Sequence, residues 1–129
     1  MKKSIIIVAC LTVVALMALA AEKYAQATFP EQSYDFGTIK EEKGPVSHTF
    51  EFVNTGNKPL IIVDAAASCG CTRPEFSPKP IKPGKKGKVK VTYSPVGRPG
   101  GFRKSVKIKT NGRERVTTLY ITGTVTPRK

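Results

Sequence analysis

From residue 28 onward this chain has no long 3.6-residue apolar rhythm; what recurs is a short strand-like run closed by Gly, Pro or Asn. Phe29 to Phe36 leads into a break at Gly37. In Val46 to Val53, the residues Val46, His48, Phe50 and Phe52 face one way and Ser47, Thr49 and Glu51 the other, as in a strand covering a core on one side. Asn54-Thr55-Gly56-Asn57 is a turn by composition. Leu60-Ile61-Ile62-Val63 is apolar on both faces, which predicts a central, well-covered strand. Pro78, Pro80 and Pro83-Gly84 make the next connection irregular. Val89, Val91 and Tyr93 then alternate with Lys86, Lys88 and Lys90. After Pro99-Gly100-Gly101, Phe102, Val106 and Ile108 alternate with Arg103, Ser105, Lys107 and Lys109, with Lys104 breaking the inner row. Asn111-Gly112 signals a type I′ hairpin into a return strand, Val116 to Val125. Six runs are clear and Arg73 to Phe76 supplies another. The expectation is an all-β, immunoglobulin-like, seven-stranded β-sandwich, with a small oligonucleotide-binding barrel as the nearest competitor. With no Trp and no long-range cysteine pair, the core must hold without antibody-type stapling.

The N-terminus reads as an address. Lys2 and Lys3 precede an uncharged run from Ile5 to Ala21, and Ala25-Gln26-Ala27 fits the small-x-small pattern of signal peptidase, with Ala18-Leu19-Ala20 as a second such site. Residues 1–27 are therefore read as a signal peptide after which the β-sandwich begins, with residues 28–129 as one Ig-like domain around a single core. The run is long for a signal core and slightly short for a membrane span, so an uncleaved anchor is the alternative and the chain's one route to a membrane. Ile7-Val8-Ala9-Cys10 resembles a lipobox, but Leu11 to Ala21 continues the apolar run past Cys10, which reads as filler. Cleaved or anchored, the domain is expected to be periplasmic or otherwise extracytoplasmic.

Charge is unevenly spread. Thr28 to Asp64 holds 3 basic and 6 acidic residues, whereas Ala65 to Lys129 holds 16 basic and 2 acidic. In a cytoplasmic protein this would suggest nucleic acid; behind an export signal it points instead to anionic envelope glycans, lipid head groups or acidic protein surfaces. Lys86, Lys88 and Lys90 form one outward row, and Arg103, Lys107 and Lys109 form another. On neighbouring edges the rows would make one continuous anion-attracting surface; the competing reading is edge protection, lysines discouraging strand-to-strand aggregation.

An ordered set of residues carries a resemblance: Tyr34-Asp35-Phe36-Gly37-Thr38-Ile39, His48-x-Phe50-x-Phe52-x-Asn54-x-Gly56, Pro59-Leu60-Ile61-Ile62, Ser68-Cys69-Gly70-Cys71-Thr72, Pro83-Gly84, Gly100 to Phe102, and Ile121-x-Gly123. It resembles the exported bacterial immunoglobulin-like family catalogued as domain of unknown function 1573, and is distantly similar to the sandwich modules of major sperm proteins and HYDIN-type proteins. The resemblance covers roughly Phe29 to Val125 and implies the fold and an envelope location, but no activity.

Cys69 and Cys71 admit four readings: a local disulfide with a redox role, soft-metal binding, intermolecular pairing, or two small apolar thiols packed at a turn. A local bridge closes so small a loop that chain entropy gives it roughly 1.6 kcal/mol before strain, little for a staple. As metal ligands the two cysteines have only His48 as a further nitrogen donor, too few for a closed zinc site. His48, the sole histidine, otherwise reads as an imidazole at the core edge with one hydrogen-bond partner. No nucleophile elbow or second histidine supports a triad, and Asp35-Phe36-Gly37 lacks every other kinase motif. The chain is thus expected to be non-catalytic and without a cofactor, a binding or scaffolding module for a protein or anionic envelope component and not for nucleic acid. The alternative is a thiol redox or copper-handling protein using the Cys-Gly-Cys pair. A strand-adding chaperone rests on fold analogy alone.

Overall fold

The computed structural model describes residues 22–128 and contains eight strands: β1 (Ala27–Thr28), β2 (Ser33–Lys40), β3 (Val46–Asn54), β4 (Ile62–Ala67), β5 (Thr72–Phe76), β6 (Lys86–Tyr93), β7 (Gly100–Thr110) and β8 (Val116–Thr126). Alternation on the four long central strands builds the core. From β3 and β6 come Phe50, Phe52, Val89, Val91 and Tyr93; from β7 and β8 come Val106, Ile108, Leu119, Ile121 and Val125, all 2% exposed or less. At about 1.5–3 kcal/mol for each large apolar side chain fully buried, this double layer is the main stabilising contribution. The strands form two four-stranded sheets, β1-β3-β6-β5 and β2-β8-β7-β4. All pairings are antiparallel except β2 with β8. The Ig-like sandwich is therefore as expected, and the strand count is corrected from seven to eight.

The extra strand comes from the first run. Phe29 to Phe36 does not form one strand: the chain leaves β3 after Thr28, passes Phe29-Pro30, and joins β8 in the opposite sheet from Ser33. Pro30 has no N–H to give a ladder, which suits the crossing point. Gly37 does not end β2 either. It sits in a bulge between Asp35 and Thr38 at φ 69°, a left-handed geometry that glycine adopts readily, and its N–H donates to Asp35 Oδ1 at 2.8 Å.

Two further expectations change. The Leu60 to Val63 run is not a central strand. Only Leu60 and Ile62 are buried, Ile61 and Val63 are 38% and 60% exposed, and β4 lies at a sheet edge. At Asn111-Gly112 a hairpin does form, but neither residue has the positive φ of a type I′ turn. Instead Asn111 reaches back across the fold: its Oδ1 accepts from Ile61 N–H at 2.8 Å and its amide donates to Pro59 O at 3.3 Å.

Asn54, the last residue of β3, is fully buried and uses its whole amide. Nδ2 donates to Lys58 O and Ile81 O at 2.7 and 2.9 Å, while Oδ1 accepts from Gly56 N–H and Gln26 N–H at 3.0 and 3.3 Å. Four backbone groups at one end of the sandwich are satisfied by one side chain.

The expected signal peptide lies mostly outside the described residues, as do Cys10 and Ala18-Leu19-Ala20.

Candidate functional site: the Cys-Gly-Cys turn and the two basic faces

Ser68 to Cys71 carries the chain from β4 in one sheet to β5 in the other. Ser68 fixes the entry, its N–H donating to Ser105 O at 2.9 Å and its Oγ accepting from Ser105 N–H at 3.1 Å. Two backbone bonds fix the exit: Thr72 N–H to Cys69 O at 3.1 Å and Ser94 N–H to Cys71 O at 2.9 Å. Held in this way, Cys69 and Cys71 have Cα atoms 5.2 Å apart and are joined by a disulfide. Gly70 is exposed at the apex, with open space where a Cβ would stand. The two sulfurs are not equivalent. Cys71 is buried at 4% exposure with Thr72 Oγ1 at 3.5 Å from its Sγ, whereas Cys69 is only partly buried and its Sγ accepts from Cys71 N–H at 3.1 Å.

His48 stays apart from that turn. Its ring stacks on Tyr34 with centroids 3.6 Å apart, meets Phe50 edge-on, and its Nε2 pairs with the Glu31 carboxylate. This is the core-edge imidazole with a single polar partner. Among the described residues no group of three or more His, Cys, Asp or Glu is placed to hold a metal ion.

The two basic rows occupy different sheets, so the single continuous surface does not form: Lys86, Lys88 and Lys90 lie on β6, Arg103, Lys107 and Lys109 on β7, and these strands face away from each other across the core. Their surroundings also differ. Across from Lys88 stands Glu51, and across from Lys90 stands Glu75, which also bridges to Arg73 at 3.2 Å. Opposite-charge pairs in register stabilise a sheet and offset the local field. On the β7 face only Lys109 has a carboxylate in register, Asp64 on β4. Lys107 lies between Thr118 and Ala66, and Arg103 opposite Thr122. The Arg103 guanidinium lies 4.4 Å from the centroid of the Tyr120 ring, a cation–π contact that spreads the side chain flat on the sheet. Sequence alternation gives each row its side of the strand. It cannot give Glu51, Glu75 or Tyr120 as neighbours, because those follow from pairing register between distant segments.

Solved structures show the same fold at low identity. A protein of unknown function from Porphyromonas gingivalis W83 superposes with a TM-score of 0.68 at 13% identity, over 78% of this chain and 46% of its own. The ASH/PapD-like domain 7 of human CEP192 gives 0.60 at 12% identity, covering 82% and 89% of the two chains. WR4, an MSP family member of C. elegans, gives 0.50 at 9% identity, covering 77% and 96%. This chain thus spans under half the length of the P. gingivalis protein. No curated protein sequence matches it. The family model for DUF1573, a protein family of unknown function, matches residues 27–125, nearly the whole sandwich, and the chain belongs to that family.

Proposed function

We propose that this protein is an exported, non-catalytic binding module that docks an anionic component of the cell envelope through the β7–β8 face. The observation that carries the reading is the unbalanced row on β7: Arg103 and Lys107 have no carboxylate in register, while Lys88 and Lys90 on the opposite face do. An acidic glycan suits this face best. Tyr120 offers a flat aromatic, and Ser105, Thr118 and Thr122 offer hydroxyls in the rows beside the cations. The apolar run behind Lys2 and Lys3 supports a site outside the cytoplasm.

The test is retention on immobilised heparin as a generic acidic polysaccharide, across a salt series. R103Q/K107Q/K109Q is expected to weaken binding roughly tenfold or more, three exposed charges at a few tenths to about 1 kcal/mol each. K86Q/K88Q/K90Q is expected to stay within about threefold. Retention that ignores salt, or equal loss from both triples, overturns the reading.

A second reading, stoichiometric thiol exchange, is favoured by the inequality of the two sulfurs. A client thiolate would attack the more accessible Cys69 Sγ, the Cys69–Cys71 bond would break, and Cys71 would leave as the thiolate. A second client thiol would then release the client as a disulfide and leave Cys69 and Cys71 reduced. The same exchange runs in reverse: in Cys71→Ser the Cys69 thiolate should attack a client disulfide, release one client sulfur as its thiol and stay joined to the other, with no Cys71 thiol to resolve the mixed disulfide. Absence of any trapped species in the envelope ends this reading. Copper binding would require the same reduction first, since the ligand is the thiolate.

A further inference from the structure

The residues just before Thr28 are built into the sandwich from both sides. Ala25 and Ala27 are 3% and 5% exposed and belong to the core cluster. On one side the segment zips to the turn after β3. Tyr24 O accepts from Asn57 N–H and Lys58 N–H at 2.8 and 3.2 Å, and Gln26 O accepts from Thr55 N–H at 2.9 Å. Asn57 closes this ladder, its Oδ1 accepting from Tyr24 N–H at 2.9 Å and its Nδ2 donating to Glu22 O at 3.1 Å. On the other side the segment meets the β7–β8 hairpin. Arg113 N–H donates to Ala25 O at 2.8 Å, Glu114 N–H donates to Gln26 Oε1 at 3.1 Å, and the Arg113 guanidinium lies 5.0 Å from the Tyr24 ring centroid. The fit is close: a Cβ on Gly56 would stand 2.2 Å from Tyr24 O.

Cutting after Ala27 would remove every one of these contacts, strand β1 down to Thr28, and the Gln26 N–H that Asn54 Oδ1 accepts. A leader is discarded, so residues that fill the core and complete its hydrogen bonds belong to the mature protein. We infer that signal peptidase cuts after Ala20, at Ala18-Leu19-Ala20, and that the mature chain starts at Ala21 and keeps residues 22–27 as the first strap of the sandwich. The sequence fits this boundary. Ala18 and Ala20 supply the small residues at both required positions, and the apolar run before them, Ile5 to Met17, is 13 residues long, inside the usual 7–15. Signal peptidase takes its substrate as extended chain, so the cut precedes docking of Glu22–Thr28 between the two turns.

Intact mass and N-terminal sequencing of the exported full-length protein test this directly. A start at Ala21 is expected. A start at Thr28, or an uncleaved chain, overturns the inference. Replacing Ala20 with Phe should block processing; continued release of a chain starting at Thr28 from that variant would overturn it as well. The structural premise has its own measurement. A chain expressed from Thr28 should unfold roughly 10 °C or more below one expressed from Ala21, or fail to fold, and equal midpoints would sink the premise.

Discussion

Asn54 satisfies four backbone groups that converge from residues 26, 56, 58 and 81, with no water-exposed surface to substitute for it. Its replacement by Ala removes the partner of Lys58 O, Gly56 N–H and Gln26 N–H and leaves Ile81 O with only its bond from Leu60 N–H. Each such group costs about 1–3 kcal/mol, so Asn54→Ala is expected to lower unfolding free energy by about 3 kcal/mol or more in a denaturant titration. Asn54→Asp should be at least as damaging, because it turns a donor into a third oxygen facing Lys58 O and Ile81 O. A loss below about 1 kcal/mol would mean that the turn rearranges around the gap. The sequence showed Asn54 as a turn former and gave no sign of this hub, since its partners are assembled only by the fold. Tyr93 gives a second residue-scale test. Burial among core side chains raises its phenol above the usual value of 10.0, against a smaller lowering by Arg98, so the folded state disfavours the phenolate. A raised folded pKa means the contribution is complete below about pH 10 and is lost as pH climbs through the higher folded value. Stability curves of the protein and of Tyr93→Phe should run parallel up to about pH 10 and diverge above it, with the tyrosine protein falling faster.

At the scale of the element, hydrophobicity and position part company in β4. Leu60-Ile61-Ile62-Val63 has the composition of a central strand, but the strand begins only at Ile62 and borders β7 alone, leaving Val63 60% exposed. Composition reports how apolar a segment is; whether a neighbour covers its second side depends on strand order, which no local pattern encodes. The other long runs were legible because each is covered on one face only, so period two appears directly in Phe50/Phe52, Val89/Val91 and Leu119/Ile121. The edge position predicts tolerance. Val63→Lys should change stability by no more than about 0.5 kcal/mol, and it should lower any self-association seen by light scattering, because a charged edge resists pairing with another strand. Were Val63 in a covered central position, the same change would bury a charge and unfold the protein. Gly87 on β6 behaves oppositely: a Cβ there would stand 2.3 Å from Phe52 Cζ and 2.4 Å from Ile81 Cδ1. Gly87→Ala is therefore expected to destabilise by about 1–3 kcal/mol through overpacking.

For the whole molecule, the question is whether the Cys-Gly-Cys bridge holds the sandwich together or is carried by it. The turn joins the two sheets, which is where a staple would act. Yet the same crossing is already fixed by Ser68 against Ser105, by Thr72 against Cys69 and by Ser94 against Cys71, through backbone groups and the Ser68 hydroxyl. The core beneath it is continuous from Phe50 to Val125 and includes Cys71 as one small apolar member among many. A bridge between residues two apart restricts very little of the unfolded chain, about 1.6 kcal/mol by loop entropy, against a core in which each large side chain contributes about as much. Cys69→Ser/Cys71→Ser is therefore expected to fold, with a loss of about 1–2.5 kcal/mol, part of it from placing a hydroxyl at the buried Cys71 position. Reduction of the unaltered protein should cost less than the double substitution, since both sulfurs stay in place. The pair of measurements separates two roles. If the double variant keeps its fold and its heparin retention, the bridge is dispensable to the β7–β8 face, and any envelope phenotype the variant shows belongs to thiol chemistry. If instead the variant fails to fold, the turn is the staple that its loop length argues against.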